Sequence, residues 1–304
     1  LFEAALERVL AQTCDFDFDV LVLDSSSTDD TADVVRRHGG KARLHMIDKS
    51  AFQHGRTRNL AIAMTEGEFA ALLTHDARPA DDRWLEKLIG GFERGTRVAG
   101  VIGRHRAYPH HNPFVARDLD RMFDRFAELG PVFDMNGDLP SHLPRESVDW
   151  RMIMHFYSDN NSAMRRSLWR ELPYPEIDWG EDQVWAQDML RLGFAKAYVD
   201  DAVVFHSHDL APPDQMAVGV HEGRLFAERF GLRLAPEEFD HAGFAGLARA
   251  VRLEATQKGL PVAAAEAYIA ATRASLEGRG LGARMADDAA GPRRRSAGAF
   301  AITD

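Results

Sequence analysis

The chain has a single cysteine, Cys14. An internal disulfide framework and a cysteine-ligated zinc site are therefore excluded, and the usage suits a reducing compartment. No run reaches the roughly 18 apolar residues of a membrane-spanning helix, and no secretory leader is visible. Positive charge is scarce too: 37 Lys and Arg stand against 47 Asp and Glu, a net charge of −10. So acidic a chain has no general attraction for nucleic acid, which is not an expected partner. Internal repeats are missing as well.

What remains is ordinary globular composition, 45% hydrophobic and 28% charged over 304 residues. That excludes wholesale disorder and allows one large domain or two small ones. Leu1 to Gln12 has a helical apolar face at Phe2, Leu6, Val9 and Leu10. Asp19 to Leu23 is a short apolar strand ending in Asp24, followed by the polar turn Ser25-Ser26-Ser27-Thr28. Ser27 or Thr28 is expected to cap a helix that stops at Gly39-Gly40. Leu44–Ile47, Phe69–Leu73 and Val98–Gly103 read as strands; Gly55–Met64 and Asp82–Phe92 read as helices. Such alternation predicts a mostly parallel sheet flanked by helices. Ligands then bind beyond the carboxyl ends of the strands, where Asp24 and Asp76 fall.

The second half is less regular. Val115–Phe126 is an amphipathic helix, Gly130–Trp150 reads as loop, Glu181–Leu192 as helix, and Ala197–Phe205 as a strand leading into His206-Ser207-His208. Pro213–Phe230 is again helical. Beyond about Pro236 the chain turns Ala-rich and helical, and Gly278–Gly298 is expected to be mobile. The expected division is 1–233 and a helical C-terminal extension, 234–304.

Four clusters carry chemistry. Asp24 with its Ser/Thr turn can accept hydrogen bonds from a base or ribose, or can serve only as a strand end and cap. His54, Arg56 and Arg58 form a basic turn, either a phosphate clamp or a solvated surface. Asp76 follows a strand in Thr74-His75-Asp76, and hard cations that bridge phosphates need only one or two protein carboxylates. Glu181-Asp182 opens a helix, which also suits the helix dipole, and His206 and His208 share one side of a strand at a spacing that suits a metal.

The segments Leu23-Asp24-Ser25-Ser26-Ser27-Thr28-Asp29-Asp30-Thr31, Phe52-x-His54-Gly55-x-Thr57-Arg58-Asn59 and Leu73-Thr74-His75-Asp76-Ala77-x-Pro79 resemble motifs of glycosyltransferase family 2, rhamnosyltransferase-like branch. So do Ser158-Asp159-Asn160-Asn161-Ser162-Ala163-x-Arg165-Arg166, Gly180-Glu181-Asp182-Gln183-x-Trp185-Ala186 and His206-Ser207-His208. Together they cover about residues 1–230. The resemblance implies an α/β GT-A fold and an inverting, metal-dependent sugar transfer from a nucleotide donor.

By that resemblance Asp24, Ser25, Ser27, Arg58, His75 and Asp76 would contact the nucleotide. Asp76 and His206 would hold Mn2+ or Mg2+, with His208 the less favoured ligand. Asp182 would be the catalytic base, supported by Glu181. Trp179, Asn160 and Asn161 would face the acceptor. Thr74 replaces the first acid of the family's Asp-x-Asp motif, so an imidazole ligand gains importance and the ion leans weakly toward Mn2+. The family also opens with a strand ending in Pro-Thr-x-Asn, and the natural protein is expected to carry it before Leu1.

The resemblance points to a dTDP- or UDP-deoxysugar donor such as rhamnose, and to a glycan or lipid-linked acceptor. It leaves two roles open to the C-terminal region, resting on a membrane or pairing two subunits. Arg293-Arg294-Arg295 fits either anionic lipid or a disordered tail. The expected location is the cytoplasm, with a peripheral contact to the inner face of the membrane. The rival readings are a sugar nucleotidyltransferase and a non-catalytic sugar-nucleotide or glycan-binding protein.

Overall fold

A computed structural model describes residues 1–137, 143–236 and 238–290. It divides the chain after Asp209, giving the units Leu1–Asp209 and Leu210–Asp304. The expected break after 233 therefore moves toward the N-terminus, and the helix 212–230 belongs with the second unit.

The first unit runs α1 (Phe2–Leu10), β1 (Leu21–Asp24), α2 (Thr31–Arg37), β2 (Arg43–Met46), α3 (His54–Ala63), β3 (Phe69–Leu72), β4 (Arg78–Pro79) and α4 (Trp84–Gly90). It continues with β5 (Val98–Arg106), α5 (Pro113–Leu129), β6 (Val132–Asp134), α6 (Val148–His155), β7 (Ser162–Arg165), α7 (Arg166–Glu171), α8 (Glu181–Arg191) and β8 (Ala195–Phe205). The α/β class is as expected, but the sheet is mixed, not mostly parallel. β1 and β2 form a separate parallel pair. The larger sheet has the order β3-β7-β5-β8-β4, with β6 also on β8. Among the described residues, β5–β8 is its only parallel bonded pair.

The missed antiparallel strands have a physical reason. β6 and β7 hold three and four residues, too few to show a two-residue period. The stretch read as loop, 130–150, contains β6 and the start of α6. By contrast, β5 is buried along all but its last residue. A nearly continuous apolar run is what a strand covered on both faces requires.

One core packs α4 against the sheet through Trp84, Leu88, Phe92, Val101 and Val204. The other packs α5 and α8 through Phe123, Phe126, Trp185, Ile102 and Tyr198. A smaller cluster of Leu6, Val34, Val35 and Ala42 packs with Val20, Val22 and Leu44 of the β1–β2 region. Each fully buried large side chain contributes about 1.5–3 kcal/mol.

One buried cation fixes a loop entrance. Lys196 of β8 is fully buried and donates to the carbonyls of Ile153 (2.6 Å), Met154 (2.8 Å) and Phe156 (2.5 Å). Burial pushes the Lys196 amine well below its ordinary value, but a neutral amine has only two N–H groups, and satisfying three acceptors favours the ammonium form. A cation there also complements the C-terminal end of α6. The loop carrying Asp159 starts directly afterwards.

Among the described residues, the second unit contains α9 (Pro212–Phe230), α10 (His241–Lys258) and α11 (Val262–Ala290). The extension is helical as expected, but the region from Gly278 is not a loose tail as far as Ala290. Gly219 and Gly223 of α9 and Gly278 and Gly282 of α11 lie where any Cβ would collide with the facing backbone. These glycines let two helices touch, so their composition signals close packing where flexibility was expected. The rest of that stretch, with Arg293, Arg294 and Arg295, lies outside the described residues. Among the described residues, no helix is long and apolar enough to cross a membrane.

Candidate active site

β1 delivers Asp24, which is buried. Its Oδ1 accepts the backbone N–H of Ser27 at 3.1 Å and the Ser27 hydroxyl at 2.6 Å. Ser27 therefore ties the turn to Asp24 and does not cap α2; Asp30 occupies the cap position without a side-chain bond, so Thr28 does not cap it either. Ser26 adopts a left-handed φ of 59° and donates to the Ile47 carbonyl at 2.8 Å. Ser25 sits half-buried between them. Asp24 Oδ2 is buried and has no partner. A buried acceptor left open costs stability unless something else binds it.

The turn after β3 carries Thr74, exposed His75 and half-buried Asp76, and the end of β8 carries His206 and His208. The structure brings the last three together. Asp76 Oδ2 lies 3.7 Å from His206 Nε2 and 3.5 Å from His208 Nε2, and the two Nε2 atoms are 3.1 Å apart. An octahedral ion with bonds of about 2.0–2.1 Å holds neighbouring ligand atoms about 3 Å apart. The two imidazoles match that spacing, while Asp76 Oδ2 stands 3.5–3.7 Å away, a little wide of it; the three converge on one side of a common point, and the exposed His208 takes part equally with His206.

The protonation states agree. Burial works to raise the Asp76 carboxyl, but the Thr74 hydroxyl and the histidines at 206, 75 and 208 outweigh it and hold it below its ordinary value. Burial pushes the His206 imidazole down to about 4, against the pull of Asp76. A carboxylate beside a neutral imidazole is the form that binds a metal.

Three acids gather around Arg58. Gly180, at φ 75°, turns the chain into α8, which opens with buried Glu181 and half-buried Asp182. Gly55 of α3 lies so close to the Pro175 carbonyl that no Cβ fits, which brings the first turn of α3 against Glu181. Arg58 pairs with Glu181 and, through Nε, with Asp159 Oδ2 at 2.9 Å. The arginine expected beside the nucleotide is thus engaged with two carboxylates of the protein. Asp159 Oδ1 also accepts the hydroxyls of Ser162 (2.7 Å) and Tyr174 (2.9 Å).

Asp182 Oδ2 accepts the backbone N–H of Asp159 at 3.2 Å, and Oδ1 accepts that of Gln183 at 2.8 Å. Burial, then the charge of Asp159, pushes its carboxyl up to about 7, while Arg58 pulls it down.

A run of close contacts joins the two clusters. The single Thr74 hydroxyl proton goes to Asp76 Oδ1 at 2.7 Å, and the same oxygen lies 3.1 Å from the Asn160 side-chain amide. Asn160 follows Asp159, whose N–H reaches Asp182. Asn161 does not face an acceptor: it is fully buried. Its Oδ1 accepts the Trp84 indole N–H at 2.8 Å, and its Nδ2 donates to the carbonyls of Ala202 (2.8 Å) and Arg104 (3.0 Å). Its amide is consumed in holding β5 and β8 where their register shifts. Trp179 is half-buried immediately before Gly180. Sequence reasoning gave no role to Asp159, Tyr174 or the Thr74 bridge, although Asp159 lies inside a motif already singled out.

Residues 1–172 match the sequence profile of glycosyl transferase family 2. The O-antigen chain rhamnosyltransferase WbaN of Salmonella anatum is 32% identical over 196 residues, covering 64% of this chain and 58% of that protein. The O-antigen chain rhamnosyltransferase RfbN of Salmonella typhimurium is 30% identical over 218 residues, covering 71% of this chain and 65% of that protein. The chain thus spans less than two thirds of the length of either relative. Among solved structures, the mannosyltransferase PcManGT from Pyrobaculum calidifontis, in complex with GDP-Man and Mn2+, aligns with a TM-score of 0.60 at 17% identity, over 96% of this chain and 84% of that one. S. aureus TarS aligns with a TM-score of 0.51 at 16% identity, over 92% and 52%. These likenesses establish the GT-A type of fold. Since the profile match takes in more than half of the residues, the chain belongs to glycosyl transferase family 2.

Proposed function

We propose that the protein is an inverting glycosyltransferase that moves a sugar from a nucleoside-diphosphate donor to an acceptor hydroxyl, with catalysis in the first unit. The observation that carries this reading is the path from Asp76 through Thr74, Asn160 and Asp159 to Asp182. It spans a metal-type cluster at one end and a carboxylate poised near neutral pH at the other.

Asp76, His206 and His208 would hold Mn2+ or Mg2+, which neutralises charge on a departing diphosphate. Asp24 Oδ2 offers the open acceptor for a donor group of the base or ribose. Asp182 takes the proton from the acceptor hydroxyl as it attacks the anomeric carbon. A base works best with a pKa near the working pH, and burial beside Asp159 supplies that. Arg58 holds Glu181 and Asp159 in place and keeps Asp182 from rising further. One in-line displacement inverts the anomeric centre and needs no nucleophile from the protein. Asn160 and Trp179 are the acceptor-side candidates that remain.

The names of the relatives support a deoxysugar such as rhamnose as the cargo, on dTDP or UDP, and a glycan or lipid-linked acceptor. A lipid-linked acceptor would put the protein at a membrane surface. The test is a thermal-shift screen of nucleotide sugars with Mn2+, followed by product analysis. A bound donor raises apparent stability by mass action. Release of a nucleoside diphosphate supports transfer, release of pyrophosphate indicates nucleotidyl chemistry, and binding without turnover indicates a binding protein.

A further inference from the structure

We infer that Tyr108 is a positioning residue that sets the spacing between the two halves of the Asp76/His206/His208 trio. The inference rests on the metal reading above. The trio comes from two distant parts of the chain, and each ligand lies outside its strand. The ladder between β4 and β8 pairs only Arg78 with Phe205 and Pro79 with Val204. Two paired residues leave the approach of Asp76 to the histidines loosely specified.

Tyr108 bonds to both halves. Its hydroxyl donates to the Asp76 carbonyl at 3.0 Å, and its backbone N–H donates to Ser207 Oγ at 3.0 Å. Ser207 lies between the two histidine ligands, and its Oγ is 2.6 Å from His111 Nδ1. The backbone N–H of His206 donates to the Arg106 carbonyl at 2.9 Å, two residues before Tyr108. One short segment, 106–111, therefore reaches both ligand-bearing segments.

The brace is also stiff. Tyr108 is buried at 6% exposure. Its ring lies 6.0 Å from that of Phe205, and the Arg78 guanidinium stands 5.6 Å from the Tyr108 ring and 5.3 Å from the Phe205 ring. The tyrosine cannot swing without breaking contacts on both sides. Partners behind the ligands orient them and tune the ion they hold.

Tyr108→Phe keeps the ring and removes only the bond to the Asp76 segment. Ser207→Ala removes the other anchor and is read alongside, so a poorly folding variant does not end the test. The free-ion Mn2+ signal in electron paramagnetic resonance gives the affinity of the full chain, and a thermal midpoint without metal reports folding. The expected result is wild-type Mn2+ binding, weakened about fivefold in each variant, as loss of one hydrogen bond implies, with the metal-free midpoint of Tyr108→Phe lowered no further than that one bond accounts for. Unchanged Mn2+ affinity in both variants overturns the inference. So does a lowered midpoint with intact affinity, since that marks a merely structural role. Absence of Mn2+ binding in the wild type overturns the metal reading itself, and the brace with it.

Discussion

The Nε2 atoms of His206 and His208 lie 3.1 Å apart, and both turn toward Asp76 Oδ2. Two imidazoles that close cannot both carry a proton cheaply, and burial holds His206 down to about 4. The pair is therefore ready to accept a cation at neutral pH. His208→Ala should weaken Mn2+ binding as severely as His206→Ala, on the order of 10–100-fold, since loss of even an outer partner costs that much. Calorimetric titration of the ion checks this. Intact affinity in His208→Ala would return the site to two ligands.

Asp182 gives a pH dependence with a definite sign. Its carboxyl is raised to about 7, so as a base it works only once deprotonated. The rate should climb about tenfold per pH unit below roughly pH 7 and level off above. Asp182→Asn should lower kcat by about 100- to 10,000-fold with little change in donor affinity. Stability moves the other way. A folded pKa above the unfolded value means the folded state holds the proton more tightly between about 4 and 7, so this group's contribution is lost as pH rises through 7. Asp182→Asn should thus be relatively more stable at pH 8 than at pH 5, as denaturant melts at the two pH values would record.

Arg58 compensates two buried carboxylates, Glu181 and Asp159. Arg58→Met should cost about 3–5 kcal/mol, because it leaves buried charge unpaired. Arg58 also lowers the Asp182 carboxyl, so its removal should shift the rate profile to higher pH. Urea unfolding and a pH–rate series test the two effects separately. A profile that does not move would detach Arg58 from the base.

Much of this site is legible before any coordinates. Asp76, Asp182 and His206 stand out because each follows or opens a regular element in a short distinctive segment. The same reasoning fails where chemistry depends on what meets across the fold. Thr74 looks like the loss of an acid, yet its hydroxyl donates to Asp76 and stands beside the Asn160 amide. Asn161 looks like an acceptor contact, yet every polar atom of its amide is used, by Trp84 of α4 and by the carbonyls of β5 and β8. Arg58 looks like a nucleotide contact, yet it is engaged with Asp159 and Glu181. The apolar runs of β5 and β8 announce themselves, while β6 and β7 are too short to do so. The glycines of α11 suggest looseness, whereas they serve close helix packing.

Lys196 ties the core to the site from behind. Its ammonium satisfies three carbonyls at and just beyond the end of α6, and the Phe126 and Phe133 rings flank it at 5.7 Å each. Lys196→Met fills much the same volume but leaves three buried acceptors open, at about 1–3 kcal/mol each. The expected loss is therefore about 3 kcal/mol or more in urea unfolding. Because Phe156 begins the loop that presents Asp159 and Asn160, the change should reach the site. Amide exchange at 157–162 should speed up in the variant more than exchange in β1 and β2, whose side chains pack in the separate cluster around Leu6, Val34 and Val35. Equal acceleration everywhere would mean that Lys196 stabilises the unit as a whole without specifically holding the loop that carries the Asp182 partner.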